Sequence, residues 1–370
     1  MTGTNDMSID IKTLLSSKKY LPIYLSRKDL CSKNLPPVAV ELHWTSDCNY
    51  DCMHCSYGSR RQSRGSLTQD QIQAVINDLI SMKASAVYLS GGGEPTLIKK
   101  WDNYAGQLID NGIEVSLITN GVALSEKHLD ILQRMNYIAI SVYSTAIDEY
   151  RKITDSHFFD RQWSLPELIK SCNSQTIVGA RCVLNNINFR NIISIYKQAK
   201  ASEYDYIIFI PAIDYEMRGI SMGASEQNEV FRLISENLSL LDPKFTNAIN
   251  LLDKNINHYS QSDYRLEIRN INSGCSAIHI RGNAFVNYCG GVWLCQPHIG
   301  NQDFMIGNLN DSKFSEMWNS EHHQKIVEEL DRQFTTGQCH NCRSIAFNRI
   351  ADQLDQGMIN FTESPLDPFI

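Results

Sequence analysis

From residue 38 onward the chain alternates between short apolar runs and longer stretches in which apolar residues recur every three or four positions. The runs are Val38–Trp44, Ala86–Ser90, Val115–Thr119, Tyr137–Tyr143, Thr176–Leu184 and Tyr206–Pro211. Their length and β-branched content predict buried strands. Between them, Gln69–Met82 repeats Ile72, Val75, Ile76, Leu79 and Ile80 behind Thr68, the pattern of a capped amphipathic helix. Helices are predicted likewise at Trp101–Asn111, which Gly112 ends, and at Ser125–Arg134, with Glu126 at its start and Arg134 at its end. Two more are predicted at Leu165–Cys172 and Asn191–Ala201. Six strands alternating with helices make an α/β fold of parallel βα units, either an open doubly wound sheet or a partial barrel. In both, chemistry gathers beyond the C-terminal ends of the strands.

The texture changes on either side of this unit. Residues 1–37 read as a polar lead-in ending at Pro36–Pro37, and 38–212 as the βα unit itself. Residues 213–274 hold a predicted helix at Glu226–Leu241 and then a stretch rich in Asn, Ser and Tyr, read as a linker or substrate-capping segment. Residues 275–342 carry a second cysteine group and a predicted helix at Ser312–Leu330, and 343–370 a tail. A net charge of -7 without a basic tract argues against a nucleic-acid partner held through phosphates. No apolar run approaches the ~20 residues of a membrane span. The N-terminus lacks a basic segment followed by an apolar one, so a cytoplasmic protein is expected, with no membrane partner.

Eleven cysteines in a reducing compartment point to metal rather than disulfides. Cys48, Cys52 and Cys55 share the loop after the first strand, and three thiolates there can hold three irons of a cubane cluster. The fourth iron, left open, can bind a small chelating molecule. A zinc knuckle completed by His54 or a distant cysteine is the competing reading. After the second strand comes Gly91–Gly92–Gly93–Glu94, where glycines permit close backbone approach and a carboxylate can receive an ammonium group. A plain tight turn explains the same residues.

In the second group, Cys275 is followed by fourteen residues, Gly290, four residues and Cys295, and later by Cys339 and Cys342. Four such thiolates can close a cluster with no open iron, or bind zinc. Cys289 is left over in a predicted turn before Gly290–Gly291. Cys31, Cys172 and Cys182 read as small core residues.

The triplet resembles the CX3CXΦC signature of the radical S-adenosylmethionine superfamily, with His54 at the usually aromatic Φ position. Gly91, Gly92, Gly93 and Glu94 resemble that family's GGE motif, and Ser141, Arg181 and Asn185 resemble strand-end groups that meet the cofactor's ribose or carboxylate. The late spacing, with Ile306–Leu309 and Phe314–Trp318, is similar to a SPASM or twitch extension. No cysteine follows Cys342, which favours the shorter twitch type with one auxiliary cluster.

The resemblance implies a partial (β/α)6 TIM-like barrel with a small C-terminal cysteine-rich twitch domain. It also implies two [4Fe–4S] clusters, S-adenosyl-L-methionine and an external one-electron reductant such as flavodoxin or ferredoxin. The expected activity is that of an oxidoreductase or epimerase. A 5′-deoxyadenosyl radical takes hydrogen from a carbon of a small natural-product precursor, and Cys289 is a candidate hydrogen donor. The 37 residues ahead of the first strand are too few for a peptide-recognition domain of ~80 residues, which leans towards that small substrate. A maturase of a ribosomal peptide and a non-catalytic iron–sulfur scaffold are the alternatives.

Overall fold

Strand β1 (Ala39–Leu42) is buried on both faces, and its faces differ. Val40 and Leu42 join the large core beneath the helices, whereas Ala39 packs with Ala86 and Tyr88 in a separate cluster flanked by Ile118 and Tyr137. This period of two repeats across the sheet, because successive strand residues point to opposite faces. A computed structural model describes residues 23–28, 35–57, 64–171, 175–214, 218–252, 271, 274–339, 342 and 344–358. Cys31, Cys172 and much of the expected capping segment lie outside the described residues.

The sheet runs β6-β5-β4-β3-β2-β1-β7-β8-β9. The first six strands are parallel neighbours in chain order: β1, β2 (Ala86–Leu89), β3 (Glu114–Thr119), β4 (Tyr137–Val142), β5 (Ile177–Leu184) and β6 (Tyr206–Pro211). This is the α/β architecture expected from the hydrophobic pattern. Helix α1 (Gln69–Met82) has the expected Thr68 cap, reinforced by Gln71 in a capping box. Helices α2 (Trp101–Asp110), α3 (Leu129–Leu132), α4 (Ile147–Thr154), α5 (Arg161–Lys170) and α6 (Ile192–Ala201) follow the strands. Helix α7 (Ala224–Glu236) comes after β6. Among the described residues no helix is long and apolar enough to cross a membrane.

The C-terminal cysteine segment adds to this same sheet. Helix α8 (Ser276–His279) leads into β7 (Asn283–Val286), which pairs with β1 in parallel. Strands β8 (Gly291–Trp293) and β9 (Met305–Asn308) continue antiparallel. The turn between β7 and β8 therefore emerges at the same edge as the loop after β1.

The helix expected over Ser312–Leu330 is two helices, α9 (Phe314–Met317) and α10 (Glu321–Thr335). Asn319 adopts a left-handed conformation, φ 68°, which stops α9. Ser320 then caps α10 by accepting from the His323 amide. The expected tail begins with another helix, α11 (Ile345–Asp355).

The α9–α10 junction is stapled by Trp318, whose indole donates to the Leu35 carbonyl and whose ring meets His323 edge-on at 4.5 Å. His323 is fully buried, and its Nδ1 accepts from the Asn319 amide. Burial, helped by the nearby charges of Arg281 and His322, pushes its imidazole from 6.5 down to about 3. Below pH 6.5 the unfolded chain binds a proton that the folded chain refuses, so stability falls as pH drops towards 3. Between pH 7 and 5.5 this one group should cost about 1 kcal/mol. Urea unfolding should show a shallower pH slope for His323→Gln than for the natural chain, and equal slopes would refute the assignment.

Candidate functional site

The loop after β1 is anchored at several points before any ligand is considered. The Asp51 amide donates to the Thr154 carbonyl at 3.1 Å and the Met53 amide to Ile153 at 2.9 Å, which docks the loop on the end of α4. The Cys55 amide closes a turn onto the Cys52 carbonyl. Cys48, Cys52 and Cys55 are half-buried along this path. Behind them, Tyr50, Tyr143, Tyr150 and Ile153 form a small core that also packs against Cys48 and Cys52. Tyr143 Oη lies 3.8 Å from Cys52 Sγ. Such an apolar wall limits water at a thiolate site.

The glycine run docks on this loop. The Glu94 amide donates to the Asp47 carbonyl at 2.8 Å, and a Cβ on Gly93 would lie 2.1 Å from that oxygen. A Cβ on Gly91 would strike the Gly93 carbonyl at 2.0 Å. What these two glycines approach closely is therefore the chain itself. Glu94 is buried, and its carboxylate accepts from the Thr96 amide and hydroxyl, from Thr119 Oγ1 at 2.6 Å and from the Asn120 amide at 2.9 Å. Burial raises its pKa, and those four donors oppose the rise. An ammonium arriving there would share oxygens already engaged.

Asn120 closes the triangle. Its side-chain amide donates to Asn49 Oδ1 at 2.7 Å and lies 4.0 Å from Cys48 Sγ. Thr119 ends β3 and Asn120 follows it, and neither was singled out as a site residue in the sequence. Their partners are distant in sequence, and no local signal marks them.

His54 points its ring towards Tyr143, 5.9 Å between centroids. Burial pushes its imidazole down to about 4, so it is neutral at pH 7. Its Nδ1 is shut off from solvent without a hydrogen-bond partner, an acceptor that a ligand N–H would satisfy. Ser141 and Arg181 are direct register partners on β4 and β5, so the structure brings that pair together. Asn185 is used otherwise. Its side chain accepts from the Ile187 and Asn188 amides and donates to Val183, the work of a turn former. His43, missed in the sequence, is buried beside the loop with Nε2 2.8 Å from Glu41 Oε1.

The second cysteine group assembles from four elements. Cys275 caps α8 and its amide donates to Asp331 on α10 at 2.8 Å. Its Sγ receives Asn348 Nδ2 of α11 at 3.5 Å. Burial pushes the Cys275 thiol up to about 11. Burial, reinforced by Cys275, lifts Cys339 to about 12. Cys342 and Cys295 rise too, first through burial and then through the other thiols of the set. Thiols of the set thus oppose the ionisation of Cys295, Cys339 and Cys342, and bound cationic iron would reverse that penalty. Among the described residues no three metal-binding side chains converge as around a single ion. A cubane spreads its ligands over four iron corners, and these residues fit it by donor type and grouping. Cys182 is buried in the main core, as expected.

Cys289 is exposed at the β7–β8 turn. Tyr288 beside it packs on Gly92, where a Cβ would lie 3.1 Å from the ring. A cleft of about 490 Å³ is lined by Met53 of the loop together with Asp148, Lys152 and Arg218 among others.

Comparison with known proteins agrees with this geometry. Residues 42–199 match the model of the radical SAM superfamily, and 275–343 that of the SPASM iron–sulfur cluster-binding domain. An AdoMet-dependent heme synthase of Methanosarcina barkeri is 21% identical over 86% of this chain and 95% of its own length. The mycofactocin maturase of Mycobacterium tuberculosis is 22% identical over 83% of this chain and 75% of its own. The crystal structure of Streptococcus suis SuiB bound to the precursor peptide SuiA superposes with a TM-score of 0.59 at 13% identity, over 94% of this chain and 81% of that one.

Proposed function

This chain carries a radical S-adenosylmethionine domain followed by a SPASM domain, with [4Fe–4S] clusters and S-adenosylmethionine as the cofactors those domains imply, and from that premise we propose that it is a maturase that oxidises a peptide at an unactivated carbon. The observation that carries the cofactor assignment is the lock between three loops. Glu94 holds Asp47 through its backbone and Thr119–Asn120 through its side chain, and Asn120 reaches Cys48. When bound, the cofactors supply a 5′-deoxyadenosyl radical that takes a hydrogen atom from carbon.

The residues divide the work. Cys48, Cys52 and Cys55 hold the first cluster, while Gly91, Gly92, Gly93 and Glu94 fix the cradle wall beside it. Ser141 would meet the cofactor's ribose and Arg181 its carboxylate or ribose, and His54 Nδ1 would accept from a cofactor N–H. Cys275, Cys295, Cys339 and Cys342 would hold one auxiliary cluster, which would supply an electron acceptor for an oxidation. Residues 38–212 form the catalytic unit in this reading, 275–342 the auxiliary module and 213–274 a wall of the substrate pocket. This chemistry calls for an external one-electron reductant of the flavodoxin or ferredoxin type.

The peptide substrate rests on the relatives named maturases and on the peptide-bound neighbour. A small polyhydroxy or amino substrate is the second reading. It is favoured by the buried His43 Nδ1, a polar atom without a hydrogen-bond partner beside the loop. Epimerisation stays attached to either substrate through the exposed Cys289 thiol.

The test is anaerobic reconstitution with S-adenosylmethionine and a flavodoxin reductant. The expected result is 5′-deoxyadenosine, with about eight irons per chain. Deuterated candidate peptides should pass deuterium into that product. Absence of 5′-deoxyadenosine would sink the enzyme reading and leave a scaffold. Deuterium transfer from sugars or aminocyclitols alone would replace the peptide with the small substrate.

A further inference from the structure

The turn between β7 and β8 belongs to the C-terminal module, yet it rests on the first cofactor's cradle. Tyr288 is half-buried at its tip. A Cβ on Gly92 would lie 3.1 Å from Cδ1 and 3.2 Å from Cε1 of the Tyr288 ring, and 3.4 Å from the Thr45 carbonyl. A Cβ on Gly65 would touch the same ring at 3.9 Å. Gly65 is itself tied to the stem of the cysteine loop, since its carbonyl accepts from the Ser46 amide at 2.9 Å. One aromatic face thus meets the glycine turn and the segment bonded to the cysteine loop's stem.

The turn that carries the ring is built to hold it still. Asn287 Oδ1 accepts from the Cys289 and Gly291 amides, each at 3.0 Å. The Cys289 carbonyl accepts from Asn308 and Asn310 side chains, and the Gly290 carbonyl from the Leu309 amide at 2.8 Å. Gly290 takes φ +83°, which a side chain would strain. Five residues past Gly290 comes Cys295, one of the second thiol group.

We propose that Tyr288 is a positioning residue for S-adenosylmethionine, its ring bracing the Gly92 turn against the stem of the cysteine loop. The proposal rests on the reading of Gly91–Glu94 as cradle. Through it the C-terminal module contributes to the first cofactor site without a ligand of its own there. The effect is assigned to the ring, because ring carbons are what meet the two glycines.

The test uses the full reconstituted chain, with equilibrium dialysis of S-adenosylmethionine and the paramagnetic resonance of the reduced first cluster before and after its addition. Tyr288→Ala should weaken cofactor binding about tenfold and diminish the spectral change, with iron content unaltered, while Tyr288→Phe should stay within about twofold of the natural chain. Gly92→Ala reads the same contact from the other side with the hairpin intact, and should also weaken binding. A natural chain whose cluster signal ignores S-adenosylmethionine would remove the cradle reading itself. If the natural chain responds and Gly92→Ala or Tyr288→Ala binds as well as it does, the brace is wrong. Equal losses in Tyr288→Phe and Tyr288→Ala would assign the effect to the hydroxyl and overturn it as well.

Discussion

Cys52→Ala should lose S-adenosylmethionine cleavage to below about a thousandth of the natural rate, a deficit of roughly 4 kcal/mol in barrier lowering. The reason lies in the loop. Cys52 has Tyr143 Oη 3.8 Å from its sulfur, and Met53 beside it is pinned to α4, so the loop holds this thiol in place. Iron should fall by about four per chain and the reduced signal of the first cluster should vanish. Cys182→Ala is the control. That thiol is fully buried in the main core and accepts from Asn188 at 3.8 Å, so its removal costs packing and not iron. Iron and cleavage at natural levels in Cys52→Ala would show that the loop is not a cluster site.

Cys295→Ala should split the activity in two. Formation of 5′-deoxyadenosine should continue, because the β1 loop and its glycine turn are untouched. Oxidised product should fall by about a hundredfold or more, because the released electron has lost its acceptor. Iron should again drop by about four. Cys295 is the sharpest choice, since burial raises its thiol and the charges of Cys342, Cys275 and Cys339 raise it further. Full product yield from a chain that has lost those irons would free the auxiliary group of any part in turnover. Loss of 5′-deoxyadenosine as well would mean that the second group supports the first, which makes this variant and Tyr288→Ala complementary.

Much of this was legible in the chain because it is periodic or local. Thr68 and the Ile72–Leu79 stripe make α1 with the bounds the pattern gave. The cysteine spacing and the glycine run depend on no distant partner to be recognised. The rest depended on long-range pairing. β7 is four residues long and carries no stronger signal than any apolar tetrad, and its place comes from pairing with β1. The stop between α9 and α10 needed a left-handed Asn319, a conformation asparagine takes only at some positions. The α11 helix was passed over as tail, although its Asn348 reaches Cys275 Sγ and the Ala277 amide. For Gly93 the sequence suggested room for a ligand, whereas the space is taken by the Asp47 carbonyl.

The parallel pairing of β1 with β7 has a consequence for how the chain is made. Ala39 and Asn283 meet across about 240 residues of intervening sequence. During synthesis β1 therefore waits with one hydrogen-bonding edge bare until almost the whole chain has left the ribosome. A bare edge next to a loop of reactive thiols invites both strand addition by other chains and oxidation. Cluster assembly and the arrival of β7 are thus two steps whose order matters. Iron delivered before β7 docks meets a cradle that still lacks Tyr288, and iron delivered afterwards meets a finished one. Non-local closure of this kind is slow, which lengthens the interval in which the edge of β1 stands bare.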